Sequence, residues 1–129
     1  MSKVLLFFGF LFLMQFGNAQ ELKKKMLISY TGEIPSYMMS VGEQVIQVPS
    51  CQISYHFTSN NKVTESVGDV RRDGVYMILK EDKLKMVINI ILDGEHVAST
   101  LIYHKKEKRM ERKGIYPQPD VFLKAKTKN

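Results

Sequence analysis

The chain has 129 residues, of which 44% are hydrophobic and 25% charged, with a formal net charge of +6 and one cysteine. A chain of this size makes one domain that buries roughly 65% of its unfolded surface, enough for a core without covalent staples. A single cysteine excludes an intrachain disulfide framework.

The positive charge is unevenly placed. Residues 20–25 carry three lysines against one glutamate, residues 26–104 six basic against nine acidic groups, and residues 105–129 nine basic against three acidic groups. The excess lies at the two ends of the sequence, around a mildly acidic body.

The first segment, "MSKVLLFFGFLFLMQFGNAQ", reads as an export leader. Lys3 supplies the positive start, residues 4–16 are almost wholly apolar, and Gly17-Asn18-Ala19 offers small residues for cleavage. The apolar run is short for a membrane span. The expectation is a signal peptide over residues 1–19, a single all-β domain over residues 20–129, a secreted or periplasmic location, and no transmembrane segment after cleavage.

Next come two short strand candidates, "KMLISYTGE" and "EQVIQVP". Between them residues 35–42, "PSYMMSVG", suit one or two helical turns, with proline near the start and glycine beyond the end. Cys51 follows with no histidine nearby to depress its pKa, so it is expected to be inert or to pair with another chain rather than act as a nucleophile.

"CQISYHFTSNNKVTESVGDVRRDG" suggests a hairpin about a three-residue Ser59-Asn60-Asn61 loop, pairing Phe57 with Val63 and Ile53 with Val67. A bulge at Gly68 would carry the strand on to a turn at Asp73-Gly74. In "GVYMILKEDKLKM" a turn at Glu81-Asp82 pairs Leu79 with Leu84, Met77 with Met86 and Val75 with Ile88. In "LKMVINIILDGEHVASTLIYH" a two-residue turn at Asp93-Gly94 pairs Ile90 with Val97, Ile88 with Ser99, Met86 with Leu101 and Leu84 with Tyr103. These pairings put Met77, Met86, Ile88 and Leu101 on one dry face and leave the other face mixed. "DVFLKAK" closes the series after the turn-rich "YPQPD".

Helix is otherwise scarce. The fold class is therefore all-β: a small antiparallel up-and-down barrel or a two-layer sandwich of seven to eight strands, with at most one short helix. Closure removes sheet edges and the connections are local, which favours the barrel. In outline it resembles a small lipocalin-type barrel, although the glycine–tryptophan start of that family is missing because the chain has no tryptophan.

Candidate chemistry is sparse. His56, His96 and His104 all read as outward-facing, and the last two would lie roughly 26 Å apart along one strand, too far to share a metal. The sequence contains no metal-ligand pair, nucleophile elbow, phosphate loop or dinucleotide fingerprint, and no cofactor is implied. The run "HKKEKRMERKG" holds Lys105, Lys106, Lys108, Arg109, Arg112 and Lys113, the candidate binding residues. It is read as an exposed edge or hairpin tip, with a dedicated patch as the sharper alternative. Tyr37, Met38, Met39, Met77, Met86 and Tyr103 are candidates to line an apolar pocket, or equally to fill the core. The export segment, the acidic body and the lack of aromatics among the basic residues disfavour nucleic acid.

The functional expectation is a non-catalytic binding protein that engages another macromolecule, either a protein, as an inhibitor or immunity-type partner, or an anionic surface. The alternative is a barrel carrier of a small apolar ligand. An enzyme without a readable motif is third.

Overall fold

The structure, a computed structural model, describes residues 20–126. The expected leader, residues 1–19, lies outside the described residues. Among the described residues ten strands form: β1 (Ser29–Ile34), β2 (Tyr37–Val41), β3 (Gln44–Val48), β4 (Cys51–Thr58), β5 (Lys62–Val67), β6 (Val70–Glu81), β7 (Lys85–Leu92), β8 (Ser99–His104), β9 (Arg109–Arg112) and β10 (Val121–Ala125). Eight of them close an antiparallel barrel in the order β1-β10-β9-β8-β7-β6-β5-β4, and β2 and β3 pair only with each other. The barrel reading thus holds and the sandwich does not. From β4 to β10 every strand neighbours the next, an up-and-down meander, and β1 completes the circle by pairing with both β4 and β10.

Alternation along the strands fills the interior. Ile53, Tyr55 and Phe57 on β4, Ile88, Ile90 and Leu92 on β7, Leu101 on β8, Met110 on β9 and Leu123 on β10 are all buried. Phe57 packs edge-to-face on Tyr30 and Tyr76, with ring centroids 5.9 and 5.3 Å away, contacts worth about 0.5–1.5 kcal/mol each beyond the area they bury.

The β4–β5 hairpin keeps the register expected from its turn, Phe57 opposite Val63 and Ile53 opposite Val67. Asn60 and Asn61 both take positive φ, a conformation asparagine tolerates. The next turn differs. Gly68, at φ 57°, and Asp69 make a two-residue connection that sets Val67 against Val70, and Asp73-Gly74 lies within β6. Gly74 is there for space, since a Cβ would meet the Ile91 carbonyl oxygen at 2.4 Å.

The β7–β8 register is two residues from the expected one, with Ile90 opposite Ser99, Ile88 opposite Leu101 and Met86 opposite Tyr103. Residues 93–98 form a longer loop in place of the tight turn, and His96 and Val97 sit in it rather than in a strand. A shift of two preserves side-chain parity, so Met86, Ile88, Ile90 and Leu101 still face inward.

The β6–β7 pairing overturns the expected one. Near the turn Glu81 opposes Met86, but beyond Leu79 the register steps by one, so Ile78 opposes Ile88 and Tyr76 opposes Ile90. A bulge at Leu79 reverses the parity of everything before it. Val75, Met77 and Leu79 are therefore exposed on the outside, as is Leu84 in the turn, and Tyr76 enters the core instead.

Residues 35–42 are not helical. Tyr37–Val41 is β2, which turns at Gly42 (φ 62°) into β3. The two strands form a ribbon outside the barrel, with Met38, Met39, Val41, Val45 and Ile46 all exposed.

Candidate functional site

The two ends of the barrel differ in chemistry. One end receives the segment before β1. Asn60 N–H donates to Glu21 Oε1 (2.6 Å), Asn61 Nδ2 donates to the Gln20 carbonyl (3.1 Å), and Leu22 N–H donates to the Tyr76 hydroxyl (2.9 Å). Leu22 and Met26, the latter in a single 3-10 turn, are buried against the core and stop this end.

The run "HKKEKRMERKG" reaches the same end. It forms the tip of the β8–β9 hairpin, a turn over residues 105–108 with Lys108 at φ 55°. A crevice of about 150 Å³ there is lined by Lys23, Lys25, Lys105, Lys108 and Glu81 over a floor of Met26, Met86 and Tyr103. The basic segment before β1 and the basic β8–β9 turn thus meet at one pole.

The six basic candidates have different fates. Lys105 Nζ donates to Glu81 Oε2 (2.6 Å) and to the Asp82 carbonyl (2.7 Å). This bond first of all, with the lysine's charge, holds the Glu81 carboxyl below its ordinary range. Arg109 lies 4.6 Å from the centre of the Phe122 ring. Lys106 and Lys108 are exposed and have no carboxylate within salt-bridge distance among the described residues. Lys113 bridges Glu111 (3.0 Å) and Asp120 (3.3 Å) near the other end. Burial works against the Glu111 charge, yet hydrogen bonds from His104 and Lys113 hold its carboxyl below the usual value.

Arg112 is half-buried and departs from the rest of the run. It follows Met110 in phase and turns into the barrel, where its Nε donates to the Tyr55 hydroxyl at 3.0 Å and an Nη donates to Gln118 Oε1. The reading of the run as one exposed edge or tip does not extend to Arg112, because two residues along a strand return to the same face and Met110 is fully buried.

This second end is an open mouth. Tyr55, Glu65 and Arg72 lie side by side on β4, β5 and β6 as register partners. Tyr55 donates to Glu65 Oε2 at 2.6 Å, Arg72 faces Glu65 Oε1 at 3.4 Å, and the same guanidinium bonds Glu95 from the 93–98 loop. Glu65 is only 4% exposed. Burial pushes the Tyr55 hydroxyl well above the usual phenol range, with Glu65 adding to the rise and Arg112 opposing it, so Tyr55 stays protonated and donates. A recess of about 520 Å³ opens above this row, walled by Ile34, Val67, Leu92 and Ile115.

Sequence reasoning passed over Tyr55, Glu65, Arg72 and Gln118. The signal for Glu65 was present: it alternates in phase with Val63 and Val67, an acid where an apolar residue belongs. The six candidate pocket residues do not gather. Met86 and Tyr103 floor the crevice at the basic pole, Tyr37, Met38 and Met39 sit on the β2–β3 ribbon, and Met77 is on the outside.

His56 and His96 are exposed, and His104 Nε2 lies 3.0 Å from Glu111 Oε1. No group of three His, Cys, Asp or Glu side chains among the described residues is placed to hold a metal ion. Cys51 is a free, half-buried thiol at the foot of the ribbon. No helix among the described residues is long and apolar enough to cross a membrane. No family model, curated protein or solved structure matches the chain.

Proposed function

We propose that the protein is an exported, non-catalytic binding module that engages an acidic macromolecule through its basic pole. The observation that carries this reading is the convergence of Lys23 and Lys25 with Lys105 and Lys108 about one crevice, although some eighty residues separate them in sequence. Folding turns two separate basic segments into a single field with an apolar floor. Lys106 and Lys108, unengaged by carboxylates among the described residues, are the side chains available to a partner.

A carrier of an enclosed apolar ligand fits less well, because the interior of the barrel is occupied by its own side chains.

The test uses tagged protein to capture and identify a partner from the exported fraction, followed by kinetics with the purified pair. Association should slow steeply with salt, since the Debye length falls from roughly 10 Å at 0.1 M to about 3 Å at 1 M. Reversing Lys23, Lys25, Lys106 and Lys108 to glutamate should leave the fold intact and weaken binding at least about tenfold. Unchanged affinity with unchanged salt dependence would reduce the pole to a solvated edge.

A further inference from the structure

The open mouth holds two guanidiniums and two carboxylates, but the carboxylates are unevenly shared. Arg72 stands between two carboxylates, Glu65 and Glu95. Arg112 has none: its acceptors among the described residues are the neutral Tyr55 hydroxyl and the neutral Gln118 amide. A guanidinium carries five N–H donors in a rigid fork, and only two of these have side-chain or backbone acceptors here among the described residues. A half-buried cation held by neutral groups is one that an anion would stabilise.

The mouth also supplies an apolar wall. Ile34, Val67 and Leu92 line the recess below, and Val70 and Ile115 stand at its rim, 61% and 70% exposed. Val97 and Tyr116 are exposed in the two loops that border the same opening, residues 93–98 and 113–120. The volume, about 520 Å³, is that of a small-ligand site.

We propose that this mouth is a binding site for an amphipathic carboxylate, with the carboxylate on the Arg112 fork and the apolar portion running out between Ile34, Val67, Leu92 and Ile115. A planar monoanion matches the guanidinium fork. The two guanidiniums and two carboxylates of the mouth sum to zero, so a phosphate dianion would leave −2 there against −1 for a carboxylate, which favours the carboxylate. Two sources share this chemistry: a free long-chain acid, and the C-terminus of a polypeptide that ends in an apolar residue. The proposal does not rest on the basic pole.

Calorimetric titration of the full chain with decanoate, decanol and decyl phosphate tests it, together with a short leucine-terminated peptide as free acid and as amide. Decanoate or the free-acid peptide should bind one to one and at least about tenfold more tightly than its neutral counterpart, with decyl phosphate weaker than decanoate. Whichever acid binds names the source. Arg112→Gln should abolish the preference for acid over neutral ligand. Ile115→Gln, on an exposed loop, should weaken acid and neutral forms alike without moving the unfolding midpoint. Should Arg112→Gln fail to fold, the acid-to-neutral ratio of the wild type and the Ile115→Gln titration still decide. Equal binding of acid and neutral ligand, binding of neither acid, or acid binding that survives Arg112→Gln and vanishes in Lys108→Glu would overturn the assignment.

Discussion

Ile88→Ala and Met77→Ala together test the bulge at Leu79. Ile88 is fully buried, between Ile78 on β6 and Leu101 on β8. Truncation to alanine removes three carbons, worth about 2.4 kcal/mol in transfer free energy at about 0.8 kcal/mol per methylene. The cavity left behind adds to this, for a total of about 3–4 kcal/mol. Met77 loses a similar number of atoms, but it is 44% exposed on the outer face, so its truncation should cost less than about 1 kcal/mol. Urea unfolding monitored by tyrosine fluorescence gives both values, provided the slope of the transition is unchanged. Were the register of Glu81 opposite Met86 to continue without the bulge, Met77 would sit inside opposite Ile90 and the two losses would be comparable. A Met77→Ala loss matching that of Ile88→Ala would therefore refute the bulge, and with it the inward placement of Tyr76.

Gly74→Ala should destabilise by about 1–3 kcal/mol, because the added methyl meets the Ile91 backbone rather than a side chain that can turn away; a stability equal to wild type would mean β6 and β7 lie further apart. Glu81 and Glu111 both titrate below their ordinary value of 4.5 in the folded state. Their contribution to stability is complete above that value and fades as pH falls through the lowered folded-state values. Unfolding midpoints measured from about pH 6 to about pH 2 should fall most steeply below about 4.5, and the double variant Glu81→Gln/Glu111→Gln should show a shallower fall; a decline as steep as wild type would assign acid sensitivity to other carboxylates.

The parts of the fold legible in the sequence are those where local chemistry fixes geometry. Asn60 and Asn61 tolerate the left-handed region, so the β4–β5 loop length and its register could be read directly. Asp93-Gly94 carries an equally strong turn signal, but Gly94 belongs to the start of a longer loop, closed by a bond from Glu95 N–H to the Leu92 carbonyl, and the extra residues follow tertiary needs: Glu95 meets Arg72 from there. The bulge at Leu79 leaves no compositional mark, since Val75, Met77 and Leu79 are as apolar as Tyr76 and Ile78, and both alternations look dry. Residues 35–42 combine helix-like termini with strand-forming residues, and pairing with β3 decides the outcome. At the site, the basic run was visible while its division was not. The burial of Met110 draws Arg112 inside, and only closure of the barrel reveals that Arg112 on β9 reaches Tyr55 on β4.

Closure also has a consequence in time. β1 is sealed by β10, with Tyr30 opposite Ala125 and Thr31 opposite Lys124, so the contacts that complete the barrel join nearly the first strand made to the last. During synthesis, which delivers roughly 5–20 residues per second from the N-terminus, β4 to β9 can pair as they emerge, but β1 keeps one unpaired side until residues 121–125 exist. Such long-range pairing is slow in any case. Until then the chain is an open, curled sheet in which Tyr55, Glu65 and Arg112 are still accessible to water. The bond from Arg112 to Tyr55, which spans the lumen, belongs to a late stage of folding, and the mouth acquires its shape only once β10 has joined β1.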